Sequence, residues 1–136
     1  KNLKFINEDF TNFEFEKSPN LYDTIYSRFT LHAVLNDKIE NVLQWSFKSL
    51  HQNGLILIET RSTKDPLFSS MKGKLIDKNT FLYEKGHLRH FIERKEIVKK
   101  IKKTGFTLEE ISESNNLSIM GKDNPVLLRL IARKKY

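Results

Sequence analysis

Three sites in this sequence carry side chains whose types and spacing are suited to chemistry. His32 can act as a general base towards a hydroxyl group, because imidazole titrates near neutral pH, or it can cap the following helix. Arg61 can clamp an anionic group through two parallel hydrogen bonds, or it can pair with nearby Glu59. His87 and His90 are three residues apart, which would allow shared metal ligation on a helix, but no third ligand is evident. We therefore expect no metal site.

The composition limits the classes of protein that the chain can form. Its 136 residues fit one domain, and the absence of cysteine excludes disulfides, thiolate metal sites and a cysteine nucleophile. No apolar run reaches the length of a membrane span, and no signal peptide opens the sequence. We expect a cytoplasmic protein without a membrane partner. The first residue is Lys1 and not methionine, from which we expect that the N-terminus is cut.

The positive charge raises the question of a nucleic-acid partner. The chain has 24 Lys and Arg against 17 Asp and Glu, a net charge of +7. The densest basic stretch, residues 95–103, has helical spacing, with Ile97 and Ile101 on one face and lysines on the other. That pattern is typical of a solvated surface helix, although a basic patch that meets a partner stays open. We do not expect binding to nucleic acid, since aromatic side chains do not alternate with arginine.

The pattern of the first half predicts strands on either side of a helix. We expect short strands at residues 3–7 and at the start of 22–30, the latter buried, with a loop over 12–20. Asp37 is expected to begin a helix, with Glu40 completing its cap, and Gly54 to end it. The apolar run at residues 55–58 is typical of a strand that is buried on both faces.

The second half begins with the least patterned region of the chain. Residues 61–93 are predicted to be a long loop or a lid-like insertion, because connections of this length are usually functional. A helix is expected at about 94–103, ending at Gly105, followed by strands at 106–111 and 126–133. The order of elements predicts a single α/β domain over residues 1–136, with a mostly parallel sheet and an antiparallel C-terminal strand.

Four stretches together resemble the class I S-adenosylmethionine-dependent methyltransferases. The run YDTIYSRFTLH at residues 22–32 resembles the fourth-strand segment of that family, and LHQNGLILIE at 50–59 resembles its fifth strand. KTGF at 103–106 resembles the entry to the sixth strand, and EDF at 8–10 is similar to the acidic loop after the third. The order and spacing agree over almost the whole chain, which implies part of a Rossmann-like methyltransferase sheet.

The family's glycine-rich cofactor loop has no counterpart here. All five glycines are isolated, and no GxG occurs, although a cofactor at a helix N-terminus needs glycine for close backbone approach. The acidic residue that ends the family's second strand is also absent. The resemblance therefore implies the C-terminal half of a methyltransferase, with its N-terminal strands missing, and we expect the 136 residues alone to be inactive.

The resemblance also implies roles for individual residues. Asp9 would accept a hydrogen bond from the adenine amino group, with Phe10 packed nearby, although a turn aspartate is the other interpretation. Ser27, Arg28 and Phe29 would lie beside the sulfonium, just beyond the carboxyl end of a parallel strand, where open α/β sheets bind ligands. The alternative makes Phe29 a core residue and Arg28 part of a surface ion pair.

The substrate side is implied in the same way. His87, Arg89 and His90 precede a helix that lines the active site in many relatives, so they would contact substrate or form surface salt bridges. With Arg61 and His32 they would serve a small-molecule or carbohydrate-like acceptor.

Two readings without catalysis remain open. One is a basic α/β module that binds nucleic acid or an anionic partner, and the other is an interaction domain that kept half of a methyltransferase fold. If the first strands are missing, the strand at 22–30 becomes an exposed sheet edge, and we expect a disordered N-terminus, a rearranged strand pairing or a dimer with another copy of the chain through that edge.

Overall fold

The computed structural model describes residues 2–12, 21–70 and 72–136, which form two β-sheets and three α-helices. The helices are α1 (Asn36–Ser49), α2 (Pro66–Ser69) and α3 (Arg94–Thr104). The strands are β1 (Tyr22–Arg28), β2 (Leu50–Arg61), β3 (Lys74–Asp77), β4 (Thr80–Leu82), β5 (Leu88–His90), β6 (Thr107–Ser114) and β7 (Leu127–Arg133).

The larger sheet has the strand order β1-β2-β7-β6. Strands β1 and β2 are parallel, whereas β7 is antiparallel to both β2 and β6. Three of the four strands therefore run in one direction and β7 runs against them. This confirms the predicted α/β class with a mostly parallel sheet and an antiparallel C-terminal strand.

Helices α1 and α3 cover one face of this sheet. Their buried residues recur at helical spacing, Ile39 and Leu43 in α1 and Ile97 and Ile101 in α3. They pack with alternate residues of the central strands into one apolar core. The buried core residues that the sheet contributes are Leu50, Ile56, Ile58, Leu128, Leu130 and Ala132.

The predicted ends of α1 are wrong. The helix is preceded by Leu35, without a side-chain cap, and Glu40 pairs with Lys100 and Lys103 of α3 instead of completing a cap at Asp37. Gly54 does not end the helix, because the chain passes from Ser49 directly into β2. Glycine is required there for another reason: a Cβ atom would lie 2.9 Å from the His51 carbonyl oxygen and 3.1 Å from that of Asp23.

The end of α3 and its charged face agree with the prediction. Gly105 follows the helix with a φ of 108°, and its N–H donates to the carbonyl groups of Ile101 and Lys102. Lys95, Lys99 and Lys102 are exposed, as expected for a solvated face. No helix in the described part of the chain is long and apolar enough to cross a membrane.

The N-terminal segment and β1 differ from the prediction. Residues 3–7 form no helix and pair with no strand among the described residues, and Leu3 and Phe5 are exposed. Strand β1 has mostly exposed side chains and pairs, within the described part of the chain, with β2 alone, so the prediction of a buried strand is wrong. Pairing of β1 with a second copy stays a prediction. The loop expected at 12–20 lies almost entirely outside the described residues.

The segment predicted to be a long loop contains α2 and a small antiparallel sheet of order β3-β4-β5. Phe68, Phe81 and Phe91 pack together at its centre, with ring centroids 5.4 to 6.0 Å apart. The two ends of the segment meet: Ile92 N donates to Arg61 O over 2.9 Å, and Thr63 N donates to Ile92 O over 3.2 Å. The role of residues 61–93 as a lid-like insertion stays a prediction.

Candidate functional site

A pocket of about 150 Å³ lies between α1 and the strands β1 and β2, and it reaches Ser27 near the carboxyl end of β1. Phe10, Ser27, Thr30 and Leu31 are among its lining residues, and the hydroxyl groups of Ser27 and Thr30 hydrogen-bond to each other. Ligands of open α/β sheets bind at the carboxyl ends of their strands. The structure therefore brings two predicted cofactor-binding residues, Phe10 and Ser27, to one pocket.

Asp9 lies beside this pocket in an exposed turn. Its carboxylate accepts hydrogen bonds from Thr11 N at 2.9 Å, from Thr11 Oγ1 at 2.7 Å and from Asn12 Nδ2 at 3.0 Å. These bonds, those from Thr11 first, hold the pKa of Asp9 below its usual value. A carboxylate has about four lone-pair sites, so one remains for an exocyclic amine. Asp9 is a turn residue that keeps the capacity to accept one more donor.

Arg28 is held by Glu59, which is 3% exposed. Arg28 Nε lies 3.1 Å from Glu59 Oε1, and Nη2 donates to Ser118 Oγ over 3.0 Å. Glu59 also pairs with Arg129 of β7, not with Arg61 as one sequence-based alternative proposed. Arg28 therefore joins β1 to β2 and to the 115–126 loop, while about half of its side chain stays exposed.

Phe29 turns the chain out of β1. It has a positive φ of 54°, and its N–H donates to Glu59 O over 2.8 Å. The turn brings its ring edge-on to His32, with the ring centroids 5.6 Å apart. His32 does not cap α1, and its buried Nδ1 atom has no hydrogen-bond partner in the described structure. Burial, together with the positive charges of Arg89 and Arg61, lowers the pKa of His32 to about 4.

Arg61 ends β2 as a buried cation. Its Nη1 lies 3.1 Å from Asp65 Oδ2, and its Nη2 pairs with Asp123. Its Nε atom is buried without a hydrogen-bond partner in the described structure. Asp65 also accepts from Leu67 N at 2.7 Å, which caps α2, and from Val126 N at 3.1 Å. The Arg61–Asp65 pair therefore ties β2, α2 and the start of β7 together.

The predicted substrate residues of the small sheet separate into exposed and buried positions. His87 is exposed ahead of β5, whereas His90 is buried and its Nδ1 lies 2.7 Å from Thr80 Oγ1. Burial lowers the pKa of His90. Arg89 lies between them, with its guanidinium carbon 5.7 Å from the centroid of the Tyr83 ring. Among the described residues, no three His, Asp or Glu side chains are grouped so that they could hold a metal ion.

Two residues of this region were missed from sequence. Asp65 had a readable signal, because an acidic residue before a proline is a common helix start. Tyr83 had none, since its place depends on the pairing of β4 with β5. A second pocket, of about 460 Å³, lies on the sheet face away from α1 and α3 and contains no predicted site residue.

His32 is buried without a hydrogen-bond partner for Nδ1 in the described structure, so the pH dependence of the free energy of unfolding tests this arrangement. Histidine in an unfolded chain takes up a proton near pH 6.5, whereas folded His32 does so only near pH 4. Between these values the unfolded state binds one more proton, so the free energy of unfolding falls as the pH falls from about 6.5 to 4. His32→Gln removes this contribution, and its urea midpoint is expected to change less between pH 7 and pH 5 than that of the wild type.

The matched control for this measurement is His51→Gln, because the His51 side chain is exposed. It is expected to keep the wild-type pH dependence. An unchanged pH dependence in His32→Gln would contradict the burial of the imidazole.

The fold has many solved counterparts. An S-adenosylmethionine-dependent methyltransferase from Methanosarcina mazei superposes with a TM-score of 0.76 at 16% identity, over 93% of this chain and 65% of that one. The 1,6-didemethyltoxoflavin-N1-methyltransferase of Burkholderia thailandensis, solved with 1,6-didemethyltoxoflavin and S-adenosylhomocysteine, superposes with a TM-score of 0.69 at 15% identity, over 98% of this chain and 51% of that one. At these identities the likeness shows the fold. The chain spans about half to two thirds of the length of these two proteins.

Comparison by sequence gives the family. No curated protein sequence matches the chain. The family described as "Methyltransferase domain" matches residues 2–111, which include β1, α1, β2, the small sheet and α3. The chain belongs to the methyltransferase domain family.

Proposed function

We propose that the protein containing this chain transfers a methyl group from S-adenosylmethionine to a small-molecule or carbohydrate-like acceptor. The observation that carries the proposal is the pocket between α1, β1 and β2, which Phe10 and Ser27 line near the carboxyl end of β1 in a chain of the methyltransferase domain family. A small-molecule acceptor is supported by the Burkholderia thailandensis relative, which holds one beside S-adenosylhomocysteine.

The described residues fit the adenosine side of this cofactor. Phe10 offers an apolar ring, Ser27 and Thr30 offer hydroxyl groups, and Asp9 keeps one site for an amine donor. S-adenosylmethionine supplies the methyl group from its sulfonium. The residues of this chain bind and orient the two reactants, and positioning alone supplies a large part of the rate in a bimolecular transfer.

His32 is proposed to remove the proton of a hydroxyl acceptor. Its Nδ1 has no hydrogen-bond partner in the described structure, and the imidazole is unprotonated at neutral pH, so Nδ1 is open to a proton. A pKa near 4 makes it a weaker base than free imidazole, so its contribution is expected at the low end for a general base. The alternative, a basic module without catalysis, is not favoured. Lys100 and Lys103 are paired with Glu40 in the described structure, so part of the basic helix serves helix packing.

Calorimetry with S-adenosylmethionine tests the cofactor part of the proposal. In the whole product of the gene, Asp9→Asn is expected to weaken binding about tenfold, because a hydrogen bond to a charged acceptor becomes a neutral one. Glu8→Gln is the matched control, since it removes the same charge from the neighbouring residue and should bind normally. Equal affinity of both variants and the wild type would contradict the role of Asp9.

The same titration on the 136 residues alone tests a further expectation. We expect heats near background, because the glycine-rich loop that the family uses is not among these residues. Micromolar binding by the 136-residue chain would overturn this view of where the cofactor is held.

A further inference from the structure

Four side chains from separate elements lie close together beyond the end of β2, and we call them the cationic cluster: His32, Arg61, Tyr83 and Arg89. The turn that carries His32, Leu31–Ala33, packs against β5, which carries Arg89. Arg89 and Arg61 both act electrostatically on His32 and on Tyr83. The small sheet thus brings a tyrosine and an arginine to the end of the larger sheet.

The cluster contains one positive charge that no acidic side chain balances. Arg61 is paired with two carboxylates, those of Asp65 and Asp123. Arg89 forms none of the ion pairs present in residues 2–12, 21–70 and 72–136, and its guanidinium instead lies over the Tyr83 ring. Because Arg89 is half-buried, its charge is weakly screened yet reachable from solvent.

Three polar atoms of the cluster are buried without a hydrogen-bond partner in the described structure. They are Nδ1 of His32, Nε of Arg61 and the hydroxyl oxygen of Tyr83. The guanidinium N–H and the phenol O–H are donors, whereas Nδ1 of His32 is the proton acceptor in the proposed function. Buried polar groups are almost always hydrogen-bonded, so the two unpaired donors beside an unbalanced cation favour an acceptor-rich anion.

The cluster also adjoins the proposed cofactor pocket. Leu31 lines that pocket, and the next residue, His32, belongs to the cluster. The Leu31–Ala33 turn therefore contributes one residue to the pocket and one to the cluster.

We propose that the cationic cluster binds an oxyanionic group, a carboxylate or a phosphate, of the methyl acceptor, with Arg89 as its charge partner and Tyr83 as a hydrogen-bond donor. This inference rests on the proposed function for the identity of the ligand as acceptor. It makes the acceptor anionic and adds Tyr83 to the substrate-binding residues.

The test is a nuclear magnetic resonance titration of the ¹⁵N-labelled 136-residue chain with inorganic phosphate and, separately, with acetate, at constant ionic strength. We expect saturable shifts of the arginine side-chain signals and of β5, with the tighter anion identifying the group. Arg89→Met keeps the aliphatic stem and should weaken binding at least about tenfold, because a charged hydrogen-bond donor is lost. Tyr83→Phe removes only the hydroxyl group and should weaken binding about threefold.

Arg94→Met is the matched control, because Arg94 is exposed at the start of α3 and outside the cluster. It should leave anion binding unchanged. Equal weakening by Arg94→Met and Arg89→Met would overturn the proposal, as would shifts that do not saturate or that spare the cluster.

The result is separable from the proposed function. If the gene's whole product binds S-adenosylmethionine and methylates an acceptor while the wild-type chain shows no saturable anion binding, only this inference fails. If Arg89-dependent anion binding is present and the whole product binds no S-adenosylmethionine, the anion site stands and the proposed function fails.

Discussion

Replacing Asp65 by asparagine is expected to lower the free energy of unfolding by about 3–5 kcal/mol, the range found when one partner of a buried ion pair is removed. Asp65 is 2% exposed and accepts from Arg61, Leu67 N and Val126 N. An amide can accept one or two of these bonds, but it leaves the buried Arg61 with only the half-exposed Asp123 as its carboxylate partner among the described residues. Since small domains unfold at a cost of about 5–15 kcal/mol, this loss would show clearly in urea denaturation followed by circular dichroism.

Asp123→Asn is the matched control, because Asp123 pairs with the same arginine but is 47% exposed in its side chain. Solvent can replace much of that interaction, so the expected loss is about 0–1 kcal/mol. Equal losses in the two variants would show that burial does not distinguish the two carboxylates, against the structure described here.

Replacing His32 by alanine is expected to lower kcat for methyl transfer by about 100-fold, the low end of the usual contribution of a general base, when the acceptor is a hydroxyl group. The measurement is the initial rate of S-adenosylhomocysteine formation by the gene's whole product. Added imidazole should restore part of the rate, because it can enter the space of the missing ring and accept the same proton. KM should change much less than kcat.

His51→Ala is the control for this experiment and should keep the wild-type rate, since His51 is exposed in β2. An unchanged kcat in His32→Ala would contradict the role of base. A reduced kcat without imidazole rescue would indicate that His32 acts through packing against Phe29.

The elements that the sequence predicts well are those whose pattern is local. The apolar face of α3 and the glycine that ends it can be recognised within twelve neighbouring residues, and the apolar run of β2 within four. Strand pairing cannot be recognised in this way, because it depends on which other segment of the chain lies beside the strand in the fold. Residues 3–7 have the composition of a strand, yet no strand of the described structure pairs with them, so they stay exposed.

The small sheet could not be predicted for a similar reason. Strands β3, β4 and β5 have three or four residues each, and all four residues of β3 are exposed, so no alternation marks them. Packing of Phe68, Phe81 and Phe91 holds them together, and those residues are spread over 24 positions from Phe68 to Phe91.

The sequence predicted the residues of the candidate site better than it predicted the partners of those residues. Arg61 was expected to pair with Glu59 or to bind an anionic ligand, because both expectations rest on the local sequence alone. Its observed partners depend on the tertiary fold, since Asp123 is 62 positions away. Glu59 likewise finds Arg28 and Arg129 on the neighbouring strands. The strand order decides which charged side chains pair with each other. No single segment of the sequence reveals the strand order.

The backbone hydrogen bonds that join Arg61 and Thr63 to Ile92 affect how the sequence of such a protein can change. A segment whose entry and exit are hydrogen-bonded to each other can change in length or sequence without moving the strands that it leaves and rejoins. Asp65 holds Arg61 and Val126, so the exchangeable part of residues 62–92 begins after it, and that part carries Tyr83 and Arg89. Under the proposed function, replacing this part would change the acceptor preference of the same scaffold.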